Sequence, residues 1–321
     1  LGDVHCRLDD HLAITPPRHR QPGDHLMGVS LEPTQHAPGL LRMTGLPQNL
    51  SEVDDDGVAS DGQDVRASPG FGLGARQPLG VDLRGFVWLH GGREFMSHLN
   101  TSQAGASETI ATMIQWAEAH LGPGEPFRTE IAPIDAARDA LTAAGYRDTG
   151  ETDFQLNAQP LGGSLAEPEL PEGAVVRPVN FDDPAEVAAR VALHREVWEP
   201  SKFSEEGYPR LRSKPIYRPD LDLVAVTPEG ELAAYCIVWW DPTSRTSLFE
   251  PVGAAMAHRR KGYAKALLRD ALRRVRDLGG EQAYVISETN AEREPSRRLY
   301  ASVGFSVLFP FTVWERDAGV A

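Results

Sequence analysis

Cysteine is nearly absent: Cys6 and Cys236 are the only two in 321 residues, too few for a disulfide framework. Positive charge is the scarcer sign. The 32 Lys and Arg stand against 46 Asp and Glu, a formal net charge of -14. A general polyanion binder should be basic, so nucleic acid is excluded as the main partner. No secretory hydrophobic segment and no apolar run of membrane-spanning length occur, which predicts a soluble, cytoplasmic protein without a membrane partner. The G-x-G-x-x-G and G-x-x-x-x-G-K-[ST] signatures are missing too, which counts against a nucleotide binder.

What is present is globular, with 41% hydrophobic and 24% charged residues and a length that suits about two domains. Residues 1–80 are rich in Pro, Gly, Asp and Ser and read as irregular chain, with a short strand or helix around Leu26 to Leu31. Within them His5, Cys6, Asp9, Asp10 and His11 carry metal-ligand chemistry without a ligand spacing, and read as a solvated terminus rather than a metal site. From Val81 the pattern firms. Gly85–Leu89 reads as a strand, Thr109–Leu121 and Ile134–Ala144 as helices, and Asp153–Asn157 as a strand.

Ala158–Gly173 has proline and glycine but no periodicity, which predicts a division into residues 1–160, a linker at 161–173, and a second domain at 174–321. That second domain reads as strand (Ala174–Val179), helix capped by Asp182 or Asp183, and a hairpin of Leu221–Val226 and Leu232–Trp240. A strand from Thr246 to Val252 follows, then a helix, the strand Gln282–Ser287, the helix Ser296–Val303 and a closing strand Phe305–Trp314, bent at Pro310.

Between the strand at Thr246–Val252 and the helix lies the stretch that organises the chain, Val252 to Ala264. It ends in R-x-x-G-x-A, with Arg259, Gly262 and Ala264 in the defining places, and Ala264, Leu267, Leu268, Ala271, Leu272, Val275 and Leu278 then recur at helical spacing. The first turn of a helix has unpaired amides and a favourable dipole for anions, and glycine lets the backbone approach closely. From Gly253 to Gly279 eight Lys or Arg face two Asp, a local basic run in an acidic protein. A small anionic ligand held at one place fits that contrast. Arg269, Arg273, Arg274 and Arg276 read as a solvated helix face.

The halves resemble each other. Asp135–Tyr146 aligns with Glu294–Phe305, setting Gly145 on Gly304, Tyr146 on Phe305 and Leu141 on Tyr300, while Ser102–Ser107 falls over Arg259–Ala264. The first copy keeps a glycine there and loses the basic residues and the tyrosine, so the working chemistry is expected in the second.

On these residues the second half resembles the GCN5-related N-acetyltransferase (GNAT) superfamily. The whole chain resembles its bacterial two-domain members, of which mycothiol synthase is one. The resemblance implies an α/β fold, two tandem copies of a mixed, mostly antiparallel sheet flanked by helices, with the first copy degenerate. It implies acetyl-coenzyme A as cosubstrate, its pyrophosphate held by Arg259, Arg260, Lys261, Gly262, Tyr263 and Ala264, and its pantetheine arm paired with the splayed strand at Val252, Gly253 and Ala254. Tyr300 would sit beside the sulfur. The chain departs from the family pattern at Arg293, where asparagine is common, with Asn290 displaced upstream, and at Met256 and Ala257, where proline and aspartate are common.

The expected reaction is direct acetyl transfer to a primary amine of a small molecule or peptide. Glu250 is the candidate general base, Tyr300 the donor to the departing thiolate, and amides near Val252 to Ala254 the partners of the carbonyl oxygen. Trp198, Phe203, Tyr208, Tyr217, Trp239 and Trp240 supply an acceptor lining or a core, and Asp220, Asp222 and Asp241 a cationic-amine contact or turn caps. His194 and His258 are proton carriers or ordinary histidines. The alternative reading is a non-catalytic acyl-coenzyme A-binding regulatory or scaffolding module, which needs the cradle but neither Glu250 nor Tyr300.

Overall fold

The computed structural model describes residues 26–30, 83–90, 94–99, 105–120, 127–201, 203–214 and 216–317. The cluster at His5 to His11 and the first half of Ser102 to Ser107 lie outside them. By contacts the described residues form two units, one of residues up to 154 together with 309–317, the other of residues 155–308.

The first unit runs β1 (Leu26–Ser30), β2 (Leu83–His90), β3 (Glu94–Leu99), α1 (Ala106–His120), β4 (Phe127–Ile131), α2 (Asp135–Ala143) and β5 (Arg147–Asp148). α1 buries Ile110, Met113, Ile114 and Ala117, the stripe its spacing predicts, against Val87, Leu89 and Phe95. Leu141 of α2 is buried in the same core, and Gly145 beyond it takes the left-handed φ of 84°.

β6 (Phe154–Pro160), β7 (Val175–Pro178), α3 (Pro184–Val197), α4 (Tyr208–Arg212), β8 (Asp222–Val226), β9 (Leu232–Asp241), β10 (Thr246–Ala254), α5 (Tyr263–Asp277), β11 (Gln282–Glu288), α6 (Glu294–Val303) and β12 (Ser306–Pro310) follow, and β13 (Thr312–Arg316) ends the order. Asp183 caps α3, its Oδ1 accepting from the Ala185 amide at 2.9 Å. α5 buries Leu267, Leu268, Ala271, Leu272 and Val275 on β8 and β9. Each buried leucine contributes roughly 1.5–3 kcal/mol of transfer free energy, which makes this seam the main anchor of the helix.

The first sheet has the order β1-β2-β3-β4-β13-β5, the second β12-β6-β11-β10-β9-β8-β7. Each contains one parallel pair among the registers described, β3 with β4 and β10 with β11, and the other described pairs are antiparallel. The repeat is visible in the elements. α1 and α5 are both 15 residues long. Each connects the two strands of its sheet's parallel pair.

Two expectations need correction. The closing strand read as Phe305–Trp314 is two strands in two sheets: β12 ends at Pro310, and β13 pairs with β4 from Thr312↔Ile131 to Arg316↔Phe127. The linear division at residues 160 and 174 does not follow the contacts either. β6, which that division leaves in the first domain, lies between β12 and β11 in the second sheet and is fixed there by Asn157 Nδ2 donating to the Val285 carbonyl at 3.1 Å. Each half's final strand thus completes the other sheet.

Candidate active site

β10 is regular as far as Phe249, which pairs with Val238; Val252 then pairs with Cys236, so Glu250 and Pro251 together oppose Ile237 alone. One extra residue makes a bulge, which bends the strand and re-aims its side chains. On the other edge β10 pairs with β11 only from Thr246↔Gln282 to Leu248↔Tyr284. Beyond Leu248 the two parallel strands part. The Ala255 amide donates to the Ala233 carbonyl at 3.0 Å, so by the alternation of an antiparallel ladder Val252 and Ala254 turn their amides and carbonyls to the open edge.

Glu250 sits at the bulge, where the parting begins. Its backbone carbonyl accepts from Trp239 Nε1 at 2.6 Å, which fixes the kink. The residue as a whole keeps some solvent exposure, yet its carboxyl is enclosed by protein. Enclosure governs the proton: desolvation pushes the carboxyl up to about 8. Tyr300 of α6 is buried in the core of the second unit, edge-on to Phe305 with ring centroids 6.2 Å apart. Burial, then the nearby Glu250 charge, raises its phenol, so it stays protonated at neutral pH. Among the described residues its hydroxyl has no hydrogen-bond partner.

The head of α5 carries the remaining sequence-predicted residues. Gly262 caps the helix with φ 91°, and no atom lies within 4 Å of where its Cβ would be. The conformation requires glycine, and the space before it is open. Among the described residues nothing accepts from the amides of Lys261, Gly262, Tyr263, Ala264 or Lys265; the first helical bond is Ala266 to the Gly262 carbonyl at 3.0 Å. Arg259, Arg260 and Lys261 are exposed, and Arg260 and Lys261 have no ion-pair partner among the described residues, while Arg259 Nε reaches the Ala254 carbonyl at 3.3 Å. Further along, Arg273 pairs with Glu167 at 2.6 Å, Arg269 with Glu169 at 3.3 Å and Arg276 with Asp277 at 3.2 Å, leaving the uncommitted charge at the helix entrance. The Tyr263 ring is buried, so only its amide faces that space.

The residues present suit a diphosphate and a thioester: five free amides and three cations at one helix head, joined by an open strand edge to an enclosed carboxyl. The acceptor candidates divide otherwise than their residue types suggest. Tyr208 and Tyr217 are buried and donate to Asp222 Oδ2 at 2.6 and 2.8 Å, and Trp240 is core. Asp220 is paired with Arg218 at 2.7 Å, and Asp241 accepts from the Thr243 and Ser244 amides in a turn. None of the three aspartates is free for an amine. His258 pairs with Glu231 at 2.9 Å, while His194 Nδ1 lies 3.0 Å from the Tyr235 hydroxyl. Asn290 caps the turn before α6 by accepting from the Arg293 amide at 3.0 Å, and Arg293 lies 3.2 Å from Glu288 and 5.6 Å from the Trp198 ring. Composition gave no signal for Arg190 or Tyr235, which prove central to the packing behind this site.

Residues 190–305 match the model of the acetyltransferase (GNAT) family. The fold is that of the GNAT superfamily. The chain is similar to a GCN5-related N-acetyltransferase from Sphaerobacter thermophilus, with a TM-score of 0.55 and 19% identity over 74% of this chain and 78% of that one. It is also similar to a tandem GNAT protein from the clavulanic acid biosynthesis pathway, with a TM-score of 0.51 and 14% identity over 74% and 80% of the two chains. An uncharacterized N-acetyltransferase of Bacillus subtilis (strain 168), YsnE, is 29% identical over 89 residues, which are 28% of this chain and 59% of the relative's length. The GNAT match lies within the second unit and contains Glu250, the α5 head and Tyr300. Among the described residues no helix is long and apolar enough to cross a membrane, and no group of His, Cys, Asp and Glu could hold a metal ion.

Proposed function

We propose that the chain is an N-acetyltransferase that moves the acetyl group of acetyl-coenzyme A directly to a primary amine. The observation that carries this reading is an enclosed carboxyl, that of Glu250, held at a strand bulge beside an open edge that leads to the free amides of α5. The α5 head would take the pyrophosphate, and Val252 and Ala254 the pantetheine amides. Acetyl-coenzyme A supplies an acyl group activated as a thioester.

Glu250 removes a proton from the amine, which attacks only as the free base. An open-edge amide near Val252 to Ala254 donates to the carbonyl oxygen as negative charge develops there. Tyr300, kept protonated by its burial, donates to the departing sulfur. A likeness in architecture to mycothiol synthase supplies no acceptor, so a pool of amines is the way to find one. Incubation with acetyl-coenzyme A and mixed amines should release thiol and add 42 Da to one of them, about the mass of an acetyl group less a proton; binding of the coenzyme without turnover across the pool would favour a non-catalytic acyl-coenzyme A module.

Tyr300→Phe tests the donor. Loss of a positioned acid lowers turnover by about 10²-fold, the lower end for general acid catalysis. Affinity for coenzyme A, measured by calorimetry, should change less than about twofold, because in this reading the phenol serves the sulfur and not the pyrophosphate. Unchanged turnover removes Tyr300 from the mechanism.

A further inference from the structure

Behind the bulge lies a buried charge that the reaction does not use. Arg190 of α3 and Asp222 of β8 are both 0% exposed, with Arg190 Nε 3.8 Å from Asp222 Oδ1, beyond hydrogen-bond reach. None of the three guanidinium nitrogens of Arg190 has a hydrogen-bond partner among the described residues. Asp222 is held from its other oxygen by the hydroxyls of Tyr208 and Tyr217. Burial pushes the Asp222 carboxyl up, against the pull of Arg190 and the two tyrosine donors.

The guanidinium instead lies over Tyr235, its carbon 3.6 Å from the ring centroid. That is a close cation-to-face contact, favourable in a desolvated place. Tyr235 in turn reaches β10. It pairs with Gly253 across the ladder, and a Cβ on Gly253 would stand 2.5 Å from Tyr235 Cε1 and 2.8 Å from Cζ. The ring therefore presses on bare backbone, at a glycine whose own torsions are loose. Gly253 is the second residue past the bulge that carries Glu250.

We propose that Arg190 is a positioning residue for acyl transfer: by clamping Tyr235 it fixes the backbone at Gly253, and with it the open edge and the direction of Glu250. This rests on the acetyltransferase reading. A helix residue needed only to fill this space would be apolar, since well-packed apolar side chains are often as stabilising as a buried ion pair. The planar cation adds a restraint on the ring, which a flexible aliphatic chain does not supply.

The test is a split between rate, binding and stability. Arg190→Met is made together with Asp222→Asn, so that no lone charge is left buried, and Tyr235→Leu serves as an independent second variant. Arg177→Met is the control, because it breaks the ion pair of Arg177 with Glu186 on the same helix, at 2.6 Å, away from the ring. Acetyl transfer by the wild-type chain is measured first. No transfer to any amine sinks the acetyltransferase reading and this proposal with it. Given wild-type transfer, kcat should fall about 10- to 100-fold in the double variant and in Tyr235→Leu, the scale expected when a reacting group is misplaced by about 1 Å. KM for acetyl-coenzyme A should stay within about twofold, and Arg177→Met should lower Tm while keeping kcat. A kcat within about twofold of wild type in either folded variant, or an equal fall in Arg177→Met, overturns the positioning role alone. Failure of both variants to fold marks the cluster as a folding requirement and overturns it too.

Discussion

Glu250→Gln should lower kcat/KM by about 10²–10³-fold, within the range that a positioned general base contributes. Glutamine keeps the shape and cannot take the proton. The pH profile carries the sharper result. Desolvation pushes the Glu250 carboxyl up to about 8, so the base is mostly protonated at neutral pH and, below that value, its ionised fraction rises about tenfold for each unit that pH is raised. The wild-type rate should therefore climb with pH through about 8 before levelling, and the Gln variant should keep only the dependence due to ionisation of the amine itself. The same shift has a sign in stability. The folded carboxyl titrates above its ordinary value of 4.5, so its stabilising share is fully present below that value and is lost as pH rises through about 8. Thermal unfolding should thus find the Gln variant gaining on the wild type at pH 9 and not at pH 4. Retention of the full rate and an unaltered profile would remove Glu250 from the chemistry.

Arg259→Glu should raise the dissociation constant for coenzyme A by about 30- to 100-fold. Arg259 is exposed and flanks five amides without acceptors among the described residues, with Arg260 and Lys261 beside it. Losing one charge-assisted hydrogen bond costs about 1.5–3 kcal/mol, and a carboxylate facing a diphosphate adds repulsion. Because the substitution lies far from the thioester, KM for acetyl-coenzyme A should rise while kcat at saturation holds. Salt should shrink the effect, as it screens exposed charge. Arg276→Glu, at the other end of the helix beside Asp277, is the matched control and should leave affinity almost unchanged. Equal affinities for the wild type and the Arg259 variant would refute the cradle.

Much of the α5 head is legible in the sequence. Apolar spacing marks α5 to within a residue of its Tyr263–Asp277 bounds, and Arg259, Gly262 and Ala264 mark its head. Periodicity is a local property, and these are local features. Strand exchange is not: β12 and β13 read as one apolar run, since which sheet a strand joins depends on partners such as β4, some 180 residues earlier in the chain. The same limit hid Arg190. In α3 it looks like any charged helix residue, and only the folding of Tyr208, Tyr217 and Asp222 around it makes it a buried clamp. Of the three aspartates read as amine contacts or turn caps, Asp241 caps a turn, while Asp220 and Asp222 are engaged by arginine and tyrosine, which residue type alone does not reveal.

The crossing of final strands limits how this chain can be cut. A polypeptide starting at Ala174 would hold all of residues 190–305 and still lack β6, leaving an empty slot between β11 and β12. Facing rows of bare amides and carbonyls would line that slot, inviting a second molecule's strand to fill it. Asn157, which ties β6 to Val285 and, at 3.0 Å, to Ser287, would be lost as well. For expression, crystallisation or directed evolution, the practical unit is accordingly the two halves together.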